Sequence, residues 1–223
     1  MKNQRGFTLI ELAIVLVIIG LLLGGVLKGQ ELINSAKVKN LAADFRNAQV
    51  YIFGYQDRFK VVPGDDRAVA NHVGGVAAGV GTQNGVIEGS WFEPAANTES
   101  CVFWQHVRLA GFASGKTAPA DISCAAGNDY MPRNAEGGVV GVQGVADFNT
   151  LFGFAGADAM VGSFVVCSAQ VRGSFATQLD TLMDDGNTQT GNVRAYTANG
   201  AWVANAAIVG AAQSAPHNVC MSF

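Results

Sequence analysis

The chain has 223 residues, a formal net charge of −3, 49% hydrophobic residues and only 14% charged ones. That balance speaks against a basic nucleic-acid binder, and a mean hydropathy of +0.24 points to a chain that partly meets lipid or other subunits. Its 28 glycines are scattered without a period, which excludes collagen and a Gly/Ser linker and predicts many turns and short strands.

Lys2 and Arg5 lead into an apolar run, Phe7 to Leu27, interrupted only by Thr8, Glu11 and glycines. At about 1.5 Å per residue the run spans roughly 30 Å, enough to cross a bilayer core. The positive leader stays cytoplasmic and places the rest of the chain outside. A secretory signal peptide has a shorter apolar core followed by a small-residue cleavage site. Here the small residue, Gly6, precedes the run, so cytoplasmic processing with the helix retained is expected. Glu11 costs a few kcal/mol in such a run unless it is paired or interfacial. Cleavage between Gly6 and Phe7 would create an amine on Phe7, one turn away, in its own chain or a neighbour's. By position alone, a carboxylate at headgroup level is the alternative.

The stretch Arg5-Gly6-Phe7-Thr8-Leu9-Ile10-Glu11-Leu12, joined to this run, closely resembles the class III leader of type IV pilins and type II secretion pseudopilins. The resemblance covers about residues 1–30. It implies cleavage after Gly6 by a prepilin peptidase, N-methylation of Phe7, and pairing of Glu11 with the Phe7 amine of an adjacent subunit during assembly. It divides the chain into a leader (1–6), a transmembrane and polymerisation helix (7–27), an amphipathic continuation (28–62) and a globular pilin domain (63–223). The implied fold is α+β, a long S-shaped helix whose second half packs on a small antiparallel sheet. The six-residue leader and the Phe start are similar to the type IVa and pseudopilin groups. Many type IVa major pilins have a proline at or near Lys28; here residues 7–62 contain none, so a kink is not implied at that point. Gly20, Gly24, Gly25 and Gly29 either loosen the helix, at about 1 kcal/mol each against Ala, or serve as contacts between neighbouring helices.

Beyond Lys28 the pattern turns amphipathic. Leu41, Phe45, Ala48, Ile52, Tyr55 and Phe59 alternate steps of four and three, one helical stripe, with Lys37, Lys39, Asp44, Arg46 and Gln49 off it. Pro63-Gly64 stops it. One helix over 7–60 would measure roughly 80 Å; two pieces broken near the glycines are the alternative.

Next come a turn at Pro63–Asp66, a short helix over Asp66–His72, a weakly structured Gly-rich stretch over Val73–Gly89 and a helix within Glu93–Gly115 that Cys101 anchors at its start. Gly138–Val145, Gly162–Ser168 and Val193–Tyr196 read as strands and Ala176–Met183 as a short helix. Asp184-Asp185-Gly186-Asn187 is a turn signal, and 199–223 is an Ala- and Val-rich tail. The Tyr55 to Asp65 and Phe103 to Gly111 stretches, and Leu182 to Ala195, are similar to a group of larger pilin-like proteins.

Cys101, Cys124, Cys167 and Cys220 are even in number, widely spaced and free of C-x-x-C pairs, which favours disulfides in an oxidising compartment. Three pairings are possible. Sequence-local closure, Cys101 with Cys124 and Cys167 with Cys220, is the expectation; four buried thiols are the alternative, and zinc spacing is absent.

No catalytic constellation is legible, so no enzyme, cofactor or metal site is expected. His72, His106 and His217 are far apart in sequence, the Gly79–Asn84 stretch fits neither a dinucleotide fingerprint nor a P-loop, and no nucleophile elbow occurs. Asp184–Asn187 offers oxygens without EF-hand spacing and reads first as a turn; some pseudopilins bind calcium in a loop of this region, so both readings stand. The function expected is a structural subunit, minor or specialised, of a type IV pilus-like filament. Its partners would be other pilin subunits, the prepilin peptidase and methylase, and the inner membrane, with no nucleic acid. Before assembly it would cross the inner membrane once with its globular domain periplasmic; afterwards it would lie in the filament, at the cell surface. The alternatives are a type II secretion pseudopilin and a membrane-anchored surface-binding module.

Overall fold

The computed structural model describes residues 9–197 and 208–223, without 82, 93 and 126, and only the backbone of 157. Its first element, helix α1, runs Leu9–Phe59, uninterrupted through Gly20, Gly24, Gly25 and Gly29. By contacts the chain divides into two units between Lys37 and Val38.

In the first unit no residue from 9 to 28 is buried. Apart from Glu11 its described charged residues lie toward its end, where Lys28 and Glu31 form an exposed pair at 2.7 Å.

The second unit opens with the amphipathic half of α1. Val38, Leu41, Ala42, Phe45, Ala48, Ile52 and Tyr55 are its buried residues, so the stripe starts one turn earlier than the sequence pattern indicated. Phe59, the last member of the stripe, is only half-buried and lies against Tyr55 and His72. Short helix α2 (Val69–His72) follows, then α3 (Glu99–Leu109), β1 (Val140–Gly144), α4 (Val145–Phe152), β2 (Phe164–Arg172), α5 (Gly173–Met183), β3 (Val193–Tyr196) and β4 (Pro216–Ser222). The four strands form one antiparallel sheet in the order β1-β2-β4-β3.

Both faces of the sheet are covered, and this explains the unbroken apolar run of β2. Successive strand residues point to opposite faces. Phe164 and Val166 join the core formed with α1 and α3. Val165, Cys167 and Ala169 join a second core with Trp91, Phe148 of α4 and Tyr196. Gly141 in β1 lets the backbone of Trp91 approach: a Cβ there would lie 1.9 Å from the Trp91 carbonyl oxygen. Beyond Ser168 the β2–β4 register shifts at a bulge, and Gln170 there takes φ +57°.

Three elements depart from the sequence reading. Helix α3 is shorter than the Glu93–Gly115 window, because residues 96–98 turn immediately before Glu99, and at its far end the positive φ of Gly111, +85°, stops it. Helix α4 follows β1 without a linker and is closed by Gly153 in the left-handed region, φ 69°. The tail contains β4, a central strand that begins on a proline, and the first residue of a strand is a position where a missing N–H is tolerated.

Candidate functional site

The exposed half of α1 is the first candidate. A helix apolar all round is stable only when lipid or protein surrounds it, and residues 9–28 have no cover in this chain. Among the described residues α1 is the one helix long and apolar enough to cross a membrane. Leu9, Leu21 and Leu16 are exposed by 89%, 73% and 69%. Glu11 sits in its first turn, where the helix dipole favours a carboxylate. Gly6 and Phe7, the expected cleavage and methylation positions, lie outside the described residues, as do Lys2, Arg5 and Thr8. A Cβ added at Gly20, Gly24, Gly25 or Gly29 would meet nothing within 4 Å, so no packing inside the chain demands these glycines.

The second candidate is the set of buried polar groups where α1 ends. Asp66 is fully buried. Its Oδ2 accepts from the Tyr55 hydroxyl at 2.7 Å and lies 2.7 Å from His72 Nδ1, while its Oδ1 accepts from the Ala68 N–H. Burial and the neighbouring carboxylate drive the Tyr55 hydroxyl upward, keeping it a neutral donor. The Gly64 N–H donates to His106 Nδ1 at 2.9 Å, so His106 carries its proton on Nε2 and donates to the Val76 carbonyl at 2.8 Å. Burial lowers the His106 pKa, against the Val76 bond and the Asp66 charge. His217 Nδ1 lies 3.0 Å from the Ala215 carbonyl. Each histidine thus has its own structural partner.

Asp65, Glu88 and Glu99 organise the 79–89 loop. Asp65 accepts from the Gly85 N–H, Glu99 from the Glu88 N–H and Glu88 from Asn84. Asp65 Oδ1 and Glu99 Oε1 are buried and make no well-formed hydrogen bond. Burial pushes Glu99 up to about 7, and the Asp65 and Glu88 charges push the same way. Asp65 is also raised, mainly by burial.

Asp180, Asp184 and Asp185 bring one carboxylate oxygen each within 4.8 Å of the others. Asp184 closes the loop by accepting from the Asn192 and Val193 N–H groups. Asp185 caps the turn through Asn187 N–H and Thr190. Asp180 is fully buried, and neither of its oxygens makes a well-formed hydrogen bond. Burial raises it to about 7; the Asp185 and Asp184 charges add to this, while the Gly186 N–H opposes it. Three carboxylates suit a hard cation in donor type; a proton on Asp180 removes the charge of the buried member and leaves those of Asp184 and Asp185. The turn reading of Asp184–Asn187 describes the hydrogen bonds of Asp184 and Asp185; Asp180, one helical turn upstream, carried no sequence signal.

The four cysteines form two disulfides, Cys101–Cys124 and Cys167–Cys220. The first ties α3 to the loop after it. The second joins directly opposed residues of β2 and β4. No thiol is free.

Sequence reasoning also missed Arg108. Its buried guanidinium donates to the Ser114, Lys116 and Tyr130 carbonyls and lies over the Tyr130 ring at 4.8 Å. Only its place on α3, among apolar residues, marked it.

Residues 1–27 match the family model of the prokaryotic N-terminal methylation motif, which is the class III prepilin leader of type IV pilins and pseudopilins. The motif implies processing by a prepilin peptidase and assembly into pilus-like filaments, and the family that bears it is structural. The apolar helix fits a membrane-anchored precursor. No curated protein and no solved structure matches the chain.

Proposed function

We propose that this chain is a structural subunit, minor or specialised, of a type IV pilus-like filament. It is cleaved after Gly6 and N-methylated at Phe7. Before assembly it crosses the inner membrane once, with residues 63–223 on the periplasmic side. It then leaves the bilayer by exchanging lipid for the same helix of neighbouring subunits. In that exchange Glu11 pairs with the Phe7 amine of an adjacent subunit and sets the stagger, because a carboxylate among apolar helices is stable only with a partner.

The observation that carries this reading is the prepilin leader running directly into a helix that is apolar and uncovered from residue 9 to 28. The disulfide-bonded second unit supports it: a domain with two disulfides suits an oxidising compartment.

Mass spectrometry of sheared surface filaments tests it. The subunit should begin at N-methylated Phe7. Glu11→Ala should remain in the membrane fraction and be absent from filaments. Incorporation of Glu11→Ala at the wild-type level would overturn the mechanism. A type II secretion pseudopilin shares the leader, and it is distinguished by failure to appear in surface filaments while secretion depends on the chain.

A further inference from the structure

The loop from Gly79 to Gly89 has no part in the leader or in the assembly helix, and it is built around three acids. Asp65 comes from the turn after α1, Glu99 from the first turn of α3, and Glu88 from the loop itself. Each spends one carboxylate oxygen on the loop. Asp65 Oδ2 accepts from the Gly85 N–H at 2.6 Å, Glu99 Oε2 from the Glu88 N–H at 2.9 Å, and Glu88 Oε1 from Asn84 Nδ2 at 3.1 Å.

The remaining oxygens converge. Asp65 and Glu99 are exposed by only 2% and 0%. Their second oxygens, Asp65 Oδ1 and Glu99 Oε1, are buried and make no well-formed hydrogen bond, and the two carboxyl groups interact directly. Glu88 Oε2 meets Glu99 Oε1 at Gly81. A Cβ built on Gly81 would stand 2.7 Å from Glu88 Oε2 and closer still to Glu99 Oε1. Glycine there, at φ +97°, keeps clear a space between two carboxylates that a side chain would fill. Glu88 is half-buried, so the space borders solvent on its side.

This cluster lacks positive charge. A carboxylate removed from water needs a compensating charge. Among the described residues no Lys, Arg or His forms an ion pair with any of the three. The guanidinium packed on this loop, that of Arg67, donates to the Ala78 and Gly81 carbonyls instead. The neighbouring charges that act on Asp65 and Glu99 are negative. One proton shared by Asp65 and Glu99 would remove one charge and leave two. A dication removes two and takes as ligands the oxygens that lack donors. Oxygen donors alone select a hard cation. His72 and His106 are engaged with Asp66, Gly64 and Val76, so neither offers a nitrogen ligand to zinc. Carboxylates drawn from three chain segments form an irregular shell, which calcium accepts and octahedral magnesium does not.

We propose that Asp65, Glu88 and Glu99 bind one calcium ion through Asp65 Oδ1, Glu88 Oε2 and Glu99 Oε1, with water completing the shell, and that the ion fixes the 79–89 loop to the start of α3. A rotation of the Glu88 side chain, the least confined of the three, closes the shell. The site is separate from the cluster of Asp180, Asp184 and Asp185 and independent of the filament reading.

Calcium titration of the chelator-treated, detergent-solubilised full-length chain tests it, followed by calorimetry and by the unfolding midpoint of the second unit. Calcium should bind saturably with a dissociation constant on the order of 0.1 mM. At calcium a hundredfold above that constant the midpoint should rise by about 5–10 °C. Magnesium should bind about tenfold more weakly. Asp65→Asn and Glu99→Gln should each weaken calcium binding by about tenfold or more, and Glu88→Gln several-fold. The Glu88 change, at a half-buried side chain, keeps the test open if the buried variants fail to fold. Asp180→Asn should leave the binding unchanged. Absence of saturable binding, as expected if one proton between Asp65 and Glu99 is all the site holds, would overturn the proposal. So would magnesium binding as tightly as calcium, unchanged affinity in Asp65→Asn, Glu88→Gln and Glu99→Gln, or loss of binding in Asp180→Asn alone.

Discussion

The two halves of α1 obey opposite burial rules within a single helix. From residue 9 to 28 the apolar side chains point in every direction and none is buried. From Val38 to Tyr55 the buried residues keep to one stripe, while Val50 and Phe53 stay exposed off it. The backbone is the same; only the surroundings each half demands differ. The first half satisfies every backbone group internally and leaves its side chains to lipid or to other helices. The second half borrows its stability from a double-faced sheet and α3. Fold and proposed function are thus divided between them: the second half makes the domain, and the first carries the assembly role proposed above.

Substitutions on the two halves should break this comparison cleanly. Phe45→Ala removes a fully buried ring and should destabilise the second unit by about 3–5 kcal/mol, read as a large fall in its unfolding midpoint. Leu16→Ala, at a position exposed by 69%, should leave that midpoint unchanged. If Leu16→Ala lowered it comparably, the halves would not be independent in stability.

Removing Cys167–Cys220 should come next in size. The bridge closes a loop of sequence separation 53, worth roughly 4 kcal/mol in the chain-entropy model. Cys167→Ser with Cys220→Ser should lower the unfolding midpoint of the second unit while membrane insertion of the first half continues. Cys101–Cys124, with a separation of 23, should matter somewhat less. An unchanged midpoint in the first double variant would assign the coupling of β2 and β4 to their hydrogen-bond ladder alone.

These effects also show which parts of the molecule were legible in its sequence. The leader motif and the stripe from Leu41 to Tyr55 announce themselves by residue type and period, since one buried face must recur every three or four residues. The strand around Val165–Cys167 is legible because burial on both faces removes polar residues altogether. Helix α4 is not: at eight residues, with Val145 and Phe148 its buried pair, it is too short for a period to stand out after β1. Strand β4 is hidden by Pro216 and by alternation spread over His217, Val219 and Met221. The buried carboxylates Asp65, Glu99 and Asp180 are invisible in principle, because an acid in a turn or on a short helix looks solvated until tertiary packing closes over it.

Those carboxylates give a pH dependence confined to the second half of the comparison. Glu99 and Asp180 titrate at about 7 and Asp44 at about 6 when folded, above ordinary values of about 4. Between about pH 4 and 7 the folded chain therefore holds more protons than the unfolded chain. Their contribution is fully present on the acid side and is lost as pH rises through 6 to 7. Asp129 and Asp185 shift downward, so they act only below that window. The unfolding midpoint should fall by about 5 °C from pH 5 to pH 8, and Glu99→Gln and Asp180→Asn should each flatten the fall. A midpoint that rises over this interval would mean that all three are ionised in the fold.

The smallest effect on the isolated chain falls on the glycines of the first half. Gly20 and Gly24, like Gly25 and Gly29, are four apart, and a Cβ at any of them meets open space. Gly24→Ala should therefore stiffen the helix by about 1 kcal/mol, leave the second unit untouched and leave insertion intact. Gly24→Leu separates the two roles these glycines can have. If they serve to loosen the helix, Leu and Ala should impair filament entry alike. If they serve as close contacts between neighbouring helices, Ala should be tolerated and Leu excluded from filaments in proportion to its bulk. The open space around each glycine, in a helix that runs through all four without a break, favours the second outcome: nothing within the chain needs a loosened backbone there, whereas a neighbouring helix approaching that face would need the room.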